Sequence, residues 1–301
     1  MSPTISVIIP CYNDRKMLER ALMSVNNQMY DDIEVVIIDS SDNNEIEKLA
    51  LRSDDLIYEW QPPSGPAAAR NLGISKSSGE IIAFLDSDDV WLPDKINIQL
   101  NEMLETDSEF SYTDEYVLRD HSLRLNRSIE LGSGNKKHVE YFKKGTGIGS
   151  RSVMADRECF NRFEFNEELK AREDPNLWTK ILKYYTHVRI ETPLSIKIDQ
   201  TGSVTDDVYT VHENEIKSIN DLCRTFPELN KYRKQRLRKS KSKLVYNLCE
   251  RNRVLEAKEE AKKFLNEDLC TQSVGSLLYS YIFHNRRYQN IIRYVYRSII
   301  E

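Results

Sequence analysis

Hydrophobic and polar residues alternate in blocks along the first hundred positions of the chain. Short apolar runs rich in β-branched residues predict buried strands, and segments with apolar residues at helical spacing predict the helices between them. The predicted strands are Ile5–Ile9, Ile33–Ile38, Leu56–Trp60 and Ile81–Leu85. The predicted helices are one that begins after Asn13-Asp14, and then Glu45–Leu51, Ala67–Ser75 and Pro93–Leu104. This order favours an α/β fold with a mostly parallel, Rossmann-like sheet that is covered on both faces.

The pattern is more mixed from residue 106 and becomes helical after about residue 210. The predicted strands of the mixed region are Phe110–Tyr116, Ser152–Met154, Val188–Ile190 and Leu194–Ile198, and its predicted helices are Lys136–Lys143 and Pro175–Tyr184. Apolar residues at helical spacing from Leu244 to Leu265 predict an antiparallel pair of helices. A further helix, aromatic and basic, is predicted from about Leu277 to Ile300.

Composition and charge narrow the class of protein without identifying it. The 301 residues are 40% hydrophobic and 30% charged, which is typical of a soluble globular protein, and the net charge of −5 does not indicate a nucleic-acid partner. The five cysteines form no Cys-x-x-Cys pair, so we expect no zinc site, no disulfide framework and a reducing, cytoplasmic location. No apolar run has the length of a signal-peptide core or a transmembrane helix, so we expect a protein that at most lies on a membrane surface.

Acidic residues follow two of the predicted parallel strands. Asp39 comes after the second strand, and the cluster Asp86–Asp89 comes after the fourth. Ligands of such sheets bind beyond the carboxyl ends of the strands. Alternate residues that leave a strand can turn two carboxylates, Asp86 and Asp88, to the same side, where substrate phosphates and Mg²⁺ or Mn²⁺ suit them. A simpler alternative is that Asp88 or Asp89 caps the next helix.

Five segments, taken in order, resemble the inverting family 2 glycosyltransferases of the A-type fold. They are Ser6–Asn13, Val36–Ser41, Ala69–Gly73, Phe84–Asp89 and Arg172–Trp178. The last segment looks like the acidic Glu-Asp-x-x-Leu-Trp acceptor-site motif of that family. The resemblance covers about residues 5–205, and it implies an A-type glycosyltransferase fold with a C-terminal helical extension. It also implies metal-dependent, inverting transfer of a sugar from a nucleotide-diphosphate donor, most simply a UDP-sugar.

The same resemblance assigns roles to residues of this chain. The nucleotide-binding residues would be Pro10, Tyr12, Asn13, Asp39, Arg70, Asp86 and Ser87. Asp39 would accept the imide N–H of a uracil or thymine base, Arg70 would reach the nucleotide or its phosphates, and Asp86 would hold the ribose. Each has a plainer alternative, since Asp39 could cap a loop and Arg70 could pair with a surface carboxylate.

The metal and the catalytic base are also implied by the resemblance. Asp88, together with Asp86, would ligate Mn²⁺ or Mg²⁺. Asp174 would be the general base that takes the proton of the acceptor hydroxyl, and Glu173 would shape its site. The alternative for both is an ordinary helix N-terminus, where acidic residues favour the helix dipole.

Some features depart from the family or leave the function open. The segment Asp39–Asp42 reads Asp-Ser-Ser-Asp where the family often has Asp-Asp-Gly-Ser, so the base specificity is open. No Gln-x-x-Arg-Trp motif occurs, which favours single addition over processive synthesis. A non-catalytic nucleotide-sugar-binding protein stays an alternative, and a sugar nucleotidyltransferase is a second one, although the expected glycine-rich phosphate loop is missing. A dehydrogenase is disfavoured because no Gly-x-Gly-x-x-Gly turn follows the first strand.

The expected domain organisation follows from the motifs. We expect a catalytic domain over residues 1–210, with a nucleotide-binding half at about 1–105 and an acceptor half at 106–210, followed by a helical region at 211–301. That region carries a basic run of Lys231, Arg233, Lys234, Arg236, Arg238, Lys239, Lys241 and Lys243. Two interpretations stay open, a peripheral contact with anionic lipid that brings the enzyme to a lipid-linked acceptor, or solvated helices packed on the catalytic domain. The acceptor itself, a glycan or a lipid-linked one, is not readable.

Overall fold

The computed structural model describes residues 2–52, 55–199 and 207–267, with side chains as far as residue 264. The chain divides into two compact units, Met1–Thr201 and Gly202–Glu301. The functional boundary expected at residue 210 stays a prediction.

The first part of the chain builds parallel strands separated by helices. Its strands are β1 (Ile5–Cys11), β2 (Ile33–Asp39), β3 (Leu56–Trp60) and β4 (Ile81–Phe84). Its helices are α1 (Arg15–Asn26), α2 (Glu45–Ala50), α3 (Pro66–Lys76) and α4 (Lys95–Thr106). The four strands pair in parallel in the order β3-β2-β1-β4, which confirms the predicted arrangement of this region.

The second part extends the same sheet with strands of mixed direction. Its strands are β5 (Val90–Trp91), β6 (Phe110–Arg119), β7 (Ser122–Asn126), β8 (Val153–Asp156) and β9 (His187–Ile198). Its helices are α5 (Lys137–Lys144), α6 (Glu158–Arg162) and α7 (Glu173–Tyr184). The sheet continues in the order β4-β8-β6-β9-β5, with β7 paired to β6. Parallel pairing therefore holds from β3 to β4, whereas β8, β7 and β5 each pair antiparallel to their neighbours.

Long-range pairing explains where the predicted elements differ from the observed ones. The two strands predicted near residues 188–198 are one strand, because β9 follows β6 along its whole length past Pro193 and absorbs an irregularity between Thr113 and Tyr116. Strand β5 has only two residues, too few to show a pattern. Every residue of β7 is exposed, including Leu123 and Leu125, so β7 buries no apolar face. Helix α6, five residues long, was also not predicted.

Hydrophobic residues of β1 and β2 are buried towards both faces of the sheet, which explains their continuous apolar runs. Val7 and Ile9 pack with α1 on one face, and Ile8 packs with α3 on the other. The second face also holds Trp178 of α7, whose ring centroid lies 5.3–6.5 Å from four phenylalanine rings. The phenylalanines are Phe84, Phe110, Phe160 and Phe165. Tilted and edge-to-face contacts of this kind stabilise a core beyond its buried area.

Three helices form the second unit: α8 (Val208–Thr225), α9 (Asn230–Glu250) and α10 (Val254–Glu267). Leu244, Leu248, Ala257 and Ala261 are buried where α9 and α10 pack, which confirms the predicted helix pair. Helix α9 carries the basic run, in which Arg236 forms a buried ion pair with Glu215. The helix predicted from Leu277 lies outside the described residues. No helix in the described ranges is long and apolar enough to span a membrane.

Gly73 allows α3 to lie directly on the sheet. A Cβ atom at this position would overlap Cγ2 of Ile8 and would lie 3.3 Å from Cγ1 of Ile38. We therefore expect Gly73→Ala to lower the free energy of unfolding by about 1–3 kcal/mol, as overpacking of a core does. Denaturant unfolding measures the change. Gly134→Ala is the matched control because no atom lies within 4 Å of its added methyl group; an equal loss in both variants would contradict the packing explanation.

Candidate active site

The loops after β1 and β2 are joined by hydrogen bonds at the carboxyl edge of the sheet. Cys11 and Asp39 are paired residues at the ends of these strands, so the loops that follow are adjacent. Asn13 adopts a left-handed backbone with φ of 57°. Its side-chain oxygen accepts from the backbone N–H of Asp42 at 3.0 Å, and the hydroxyl of Tyr12 donates to the Asp42 carboxylate at 2.9 Å. The structure thus brings Tyr12 and Asn13 together with the second loop, beside Pro10.

Asp39 lies at the predicted edge but is fully buried. One carboxylate oxygen accepts the backbone N–H of Ser41 at 2.8 Å, and the other accepts the hydroxyl of Tyr58 at 2.9 Å. Burial, together with the hydrogen bond and the charge of Asp39, raises the pKa of the Tyr58 hydroxyl. In this arrangement Asp39 organises the loop. Its predicted contact with a nucleotide base stays a prediction.

The centre of the site is the buried guanidinium of Arg70, which is 4% exposed. Arg70 lies on α3, and its Nη2 donates to Asp86 Oδ1 at 2.7 Å. Its Nη1 donates to Glu173 Oε1 at 2.9 Å and to Asp174 Oδ1 at 3.2 Å. The predicted donor-side residue Asp86, which follows β4, and the predicted acceptor-side residues of α7 therefore share one cation.

The carboxylates around Arg70 differ in how burial and nearby charges act on them and in their exposure to solvent. Burial raises the pKa of Asp86, but the charges of Arg70 and Arg151 outweigh it, and the pKa lies below its ordinary value. Burial and the charge of Asp174 raise the pKa of Glu173. Glu173 is buried, whereas the Asp174 side chain is 21% exposed. Asp86 is therefore held as an anion, and Asp174 is the carboxylate of α7 that is open to solvent.

Asp88 is the acidic residue of the loop best suited to an added cation. Its side chain is half-buried, and within the ranges that the structure describes no side chain forms an ion pair with it. Burial and the charge of Asp86 raise its pKa, so its ionised form would gain from a nearby cation. Ser87 is half-buried between the two aspartates.

The carboxylates fit a metal only as a partial ligand set. No cluster of three or more His, Cys, Asp or Glu side chains arranged for a metal occurs among the described residues. Asp86 and Asp88 offer hard oxygen atoms of the kind that Mg²⁺ and Mn²⁺ bind, and such ions commonly take their remaining ligands from substrate phosphates and water.

Sequence reasoning missed a second buried arginine beside the loop. Arg151, in a short turn before β8, lies 3.7 Å from Asp86 Oδ2 through Nη1 and also pairs with Asp89 and Glu115. It follows the glycine-rich stretch 145–149, which was the one signal that an unusual backbone passes here. No local pattern connects it with residues 86–89, because that contact depends on strand β8 pairing with β4.

Residues 6–162 match the sequence profile described as glycosyl transferase family 2. The chain belongs to this family. It is 32% identical over 184 residues to WfgD of Escherichia coli, described as a UDP-Glc:alpha-D-GlcNAc-diphosphoundecaprenol beta-1,3-glucosyltransferase; the match covers 60% of this chain and 70% of WfgD. It is 30% identical over 186 residues to TuaG of Bacillus subtilis, a putative teichuronic acid biosynthesis glycosyltransferase, covering 60% of this chain and 73% of TuaG.

Other relatives are longer than the region they share with this chain. An uncharacterized glycosyltransferase of Rickettsia bellii is 36% identical over 180 residues, and the match covers 59% of this chain. The chain spans only 26% of that relative and 30% of a second one from Rickettsia conorii.

Solved structures confirm the A-type glycosyltransferase fold. TarS 1–349 of S. aureus superimposes with a TM-score of 0.63 at 17% identity, covering 98% of this chain and 91% of that chain. The mannosyltransferase PcManGT from Pyrobaculum calidifontis, in complex with GDP-Man and Mn²⁺, superimposes with a TM-score of 0.59 at 15% identity, covering 100% and 87%. At these identities the likeness establishes the fold alone.

The raised pKa of Glu173 makes its contribution to stability depend on pH. The folded protein binds this proton more tightly than the unfolded chain, so the stability it contributes is present below the ordinary glutamate pKa and is lost as pH rises through the raised value. Glu173→Gln cannot ionise and avoids that loss. We expect the stability of the variant relative to the parent to improve between about pH 5 and about pH 8, by on the order of 1 kcal/mol.

Chemical denaturation at both pH values measures this difference. Glu105→Gln is the matched control, since Glu105 is exposed on α4, and we expect a pH-independent difference there. A pH-independent difference for Glu173→Gln, or one that falls with pH, would contradict the assignment.

Proposed function

We propose that the protein is a metal-dependent, inverting, non-processive glycosyltransferase. It moves a sugar from a nucleoside diphosphate donor, a UDP-sugar, to a hydroxyl of a glycan or lipid-linked acceptor. One observation supports this more than any other. The guanidinium of Arg70 joins Asp86 to Glu173 and Asp174, so that a donor-side carboxylate and a candidate base meet within one site.

The donor side is the edge formed by the loops after β1, β2 and β4. Pro10, Tyr12 and Asn13 would border the nucleotide, and Asp86 and Ser87 would hold its ribose. Asp86 and Asp88 would hold Mn²⁺ or Mg²⁺, which when bound neutralises charge on the diphosphate leaving group. The charge that Arg70 and Arg151 place beside Asp86 keeps its carboxylate ionised for this task.

The acceptor side is the N-terminus of α7. Asp174 Oδ1 lies 3.2 Å from Arg70 Nη1, and Oδ2 has no hydrogen-bond partner among the described residues. Oδ2 would therefore accept the proton of the acceptor hydroxyl as its oxygen attacks the anomeric carbon. A single displacement inverts the anomeric centre, because the leaving diphosphate departs from the opposite face. The buried Glu173 shapes the site rather than reaching the acceptor.

The relatives support the choice of substrates by analogy. The name of WfgD describes transfer from UDP-Glc to a diphosphoundecaprenol-linked sugar, and one TarS structure holds UDP-GlcNAc. PcManGT holds GDP-Man with Mn²⁺, so a guanosine donor is the principal competitor for the base. We favour UDP and a lipid-linked or glycan acceptor. Thermal shifts with UDP-, GDP- and dTDP-sugars can distinguish the nucleotide bases.

Two substitutions separate the donor-side role from the acceptor-side role. Asp88→Asn should remove the Mn²⁺-dependent part of the thermal stabilisation by UDP or UDP-sugars, which is about 2.7 kcal/mol for a ligand at a hundred times its Kd. Asp174→Asn should keep that stabilisation and lower kcat by about 10²- to 10⁴-fold, as loss of a general base does. Thermal shifts with UDP-, GDP- and dTDP-sugars, with and without Mn²⁺, and nucleoside diphosphate release measure both effects.

Asp120→Asn is the matched control, because Asp120 is exposed at the tip of the β6–β7 hairpin with φ of 48°, which asparagine tolerates. We expect it to behave like the parent. Near-full turnover by Asp174→Asn would show that another group is the base. Nucleotide binding by the parent that is the same with and without Mn²⁺ would contradict the role of Asp88.

A further inference from the structure

Arg151 faces three carboxylates on two segments of the chain, Asp86 and Asp89 of the loop after β4 and Glu115 of β6. Its side chain is 11% exposed, in the turn before β8. Nη1 lies 3.1 Å from Asp89 Oδ2 and 3.7 Å from Asp86 Oδ2. Nε lies 2.8 Å from Glu115 Oε2, and Nη2 donates to Glu115 Oε1 at 3.3 Å. Each nitrogen of the guanidinium therefore faces a carboxylate oxygen.

The groups next to Arg151 hold both ends of the loop Asp86–Asp89. Asp89 is buried, and its other oxygen accepts the backbone N–H of Ile198 at 2.8 Å, which fixes the end of the loop to β9. The backbone carbonyl of Arg151 accepts the indole N–H of Trp91 at 2.9 Å. At the start of the loop, Arg70 binds Oδ1 of Asp86 while Arg151 faces Oδ2. The two arginines thus hold Asp86 through different oxygens.

Asp88 lies between these two fixed aspartates. Its carboxylate forms no ion pair with any side chain that the structure describes, although the charges of Arg151 and Lys197 favour its ionised form and Arg20 donates to its backbone carbonyl at 2.7 Å. Three carboxylates within four residues repel one another, and Arg151 offsets that repulsion through its ion pairs with Asp86 and Asp89, so that no ion pair occupies the Asp88 carboxylate in the described ranges. We propose that Arg151 is a positioning residue that fixes the loop Asp86–Asp89 so that Asp88 is presented to a nucleoside diphosphate and its divalent cation. The inference rests on the proposed function and adds to it a residue that contacts neither substrate nor metal.

Lysine cannot replace Arg151 in this role. A lysine ammonium is a compact charge on a flexible stem, whereas the planar guanidinium meets Glu115 with two nitrogens and Asp89 with a third. Arg151→Lys should therefore keep the positive charge but lose the simultaneous contacts with Glu115 and Asp89. Removal of such an outer contact typically weakens metal binding by about 10- to 100-fold.

The test compares Arg151→Lys with Arg157→Lys in the full chain. Arg157 follows β8 at its other end and donates to the carbonyls of Gly79 and Ile74 and to the hydroxyl of Ser77, so it is a matched arginine far from the loop in sequence and role. Titration calorimetry with UDP and GDP, at a series of MnCl₂ concentrations, gives the nucleotide Kd and the half-saturating Mn²⁺ concentration. We expect both to rise about tenfold in Arg151→Lys and to stay within about twofold in Arg157→Lys.

The possible results distinguish a failure of the positioning role from a failure of the proposed function. If both variants bind like the parent, or if both lose the same affinity in step with a lower Tm, the positioning role is wrong and the proposed function stands. If the parent binds neither UDP nor GDP with MnCl₂, the proposed function fails and the inference fails with it. If Arg151→Lys does not fold, Glu115→Gln decides, because it loosens Arg151 without removing its charge. A rise in the half-saturating Mn²⁺ concentration supports the role, and parent-like binding overturns it.

Discussion

The site depends on one buried positive charge, that of Arg70. A guanidinium withdrawn from water is strongly destabilising unless carboxylates surround it, and removal of one partner of such a pair typically destabilises a protein by about 3–5 kcal/mol. Here the partners come from the loop after β4 and from the first turn of α7. Helix α3, strand β4 and helix α7 are therefore held together by the same contacts that assemble the candidate active site.

The arrangement of charges gives the carboxylates different environments. Asp86 faces two arginines and is held ionised, Glu173 is buried with a raised pKa, and Asp174 is partly exposed. The Asp88 carboxylate forms no ion pair with any side chain that the structure describes, although the charges of Arg151 and Lys197 act on it. The carboxylates that face the protein interior are thus paired with arginines, whereas the carboxylate at the open edge of the sheet is not. In the proposed function, a nucleoside diphosphate and its divalent cation bind at this edge.

Much of the fold and of the candidate site could be predicted from the sequence, and the contacts that could not be predicted have a physical reason. The parallel strands β1–β4 have continuous apolar runs because both faces are buried, and a parallel sheet places residues 39 and 86 at one edge. The motif around Asp174 predicted a helix N-terminus, which the structure confirms. The ion pairs that join helix α3 to helix α7 were not predictable, because Arg70 is more than a hundred residues from Glu173 and Asp174 in the chain. Arg151 and Glu115 have no local signature for the same reason.

Asp39 shows a different limit. Its position after β2 was correct, but its full burial depends on Tyr58 of the neighbouring strand, whose hydroxyl occupies one carboxylate oxygen. A residue can thus lie at the expected edge of a sheet and still be turned into the protein. Strands β5 and β7 show the same dependence on partners, since β5 is only two residues long and pairs with β9, and the exposed β7 pairs with β6.

A double-mutant cycle tests most directly whether Arg70 unites the site. The parent, Asp86→Asn, Glu173→Gln and the double variant are compared by the free energy of unfolding at about pH 8, where Glu173 is substantially ionised. The two carboxylates repel each other and share one guanidinium, so the double variant should lose at least about 0.5 kcal/mol more than the sum of the single losses. Additivity within about 0.3 kcal/mol would show that the two sides are independent and would contradict the account.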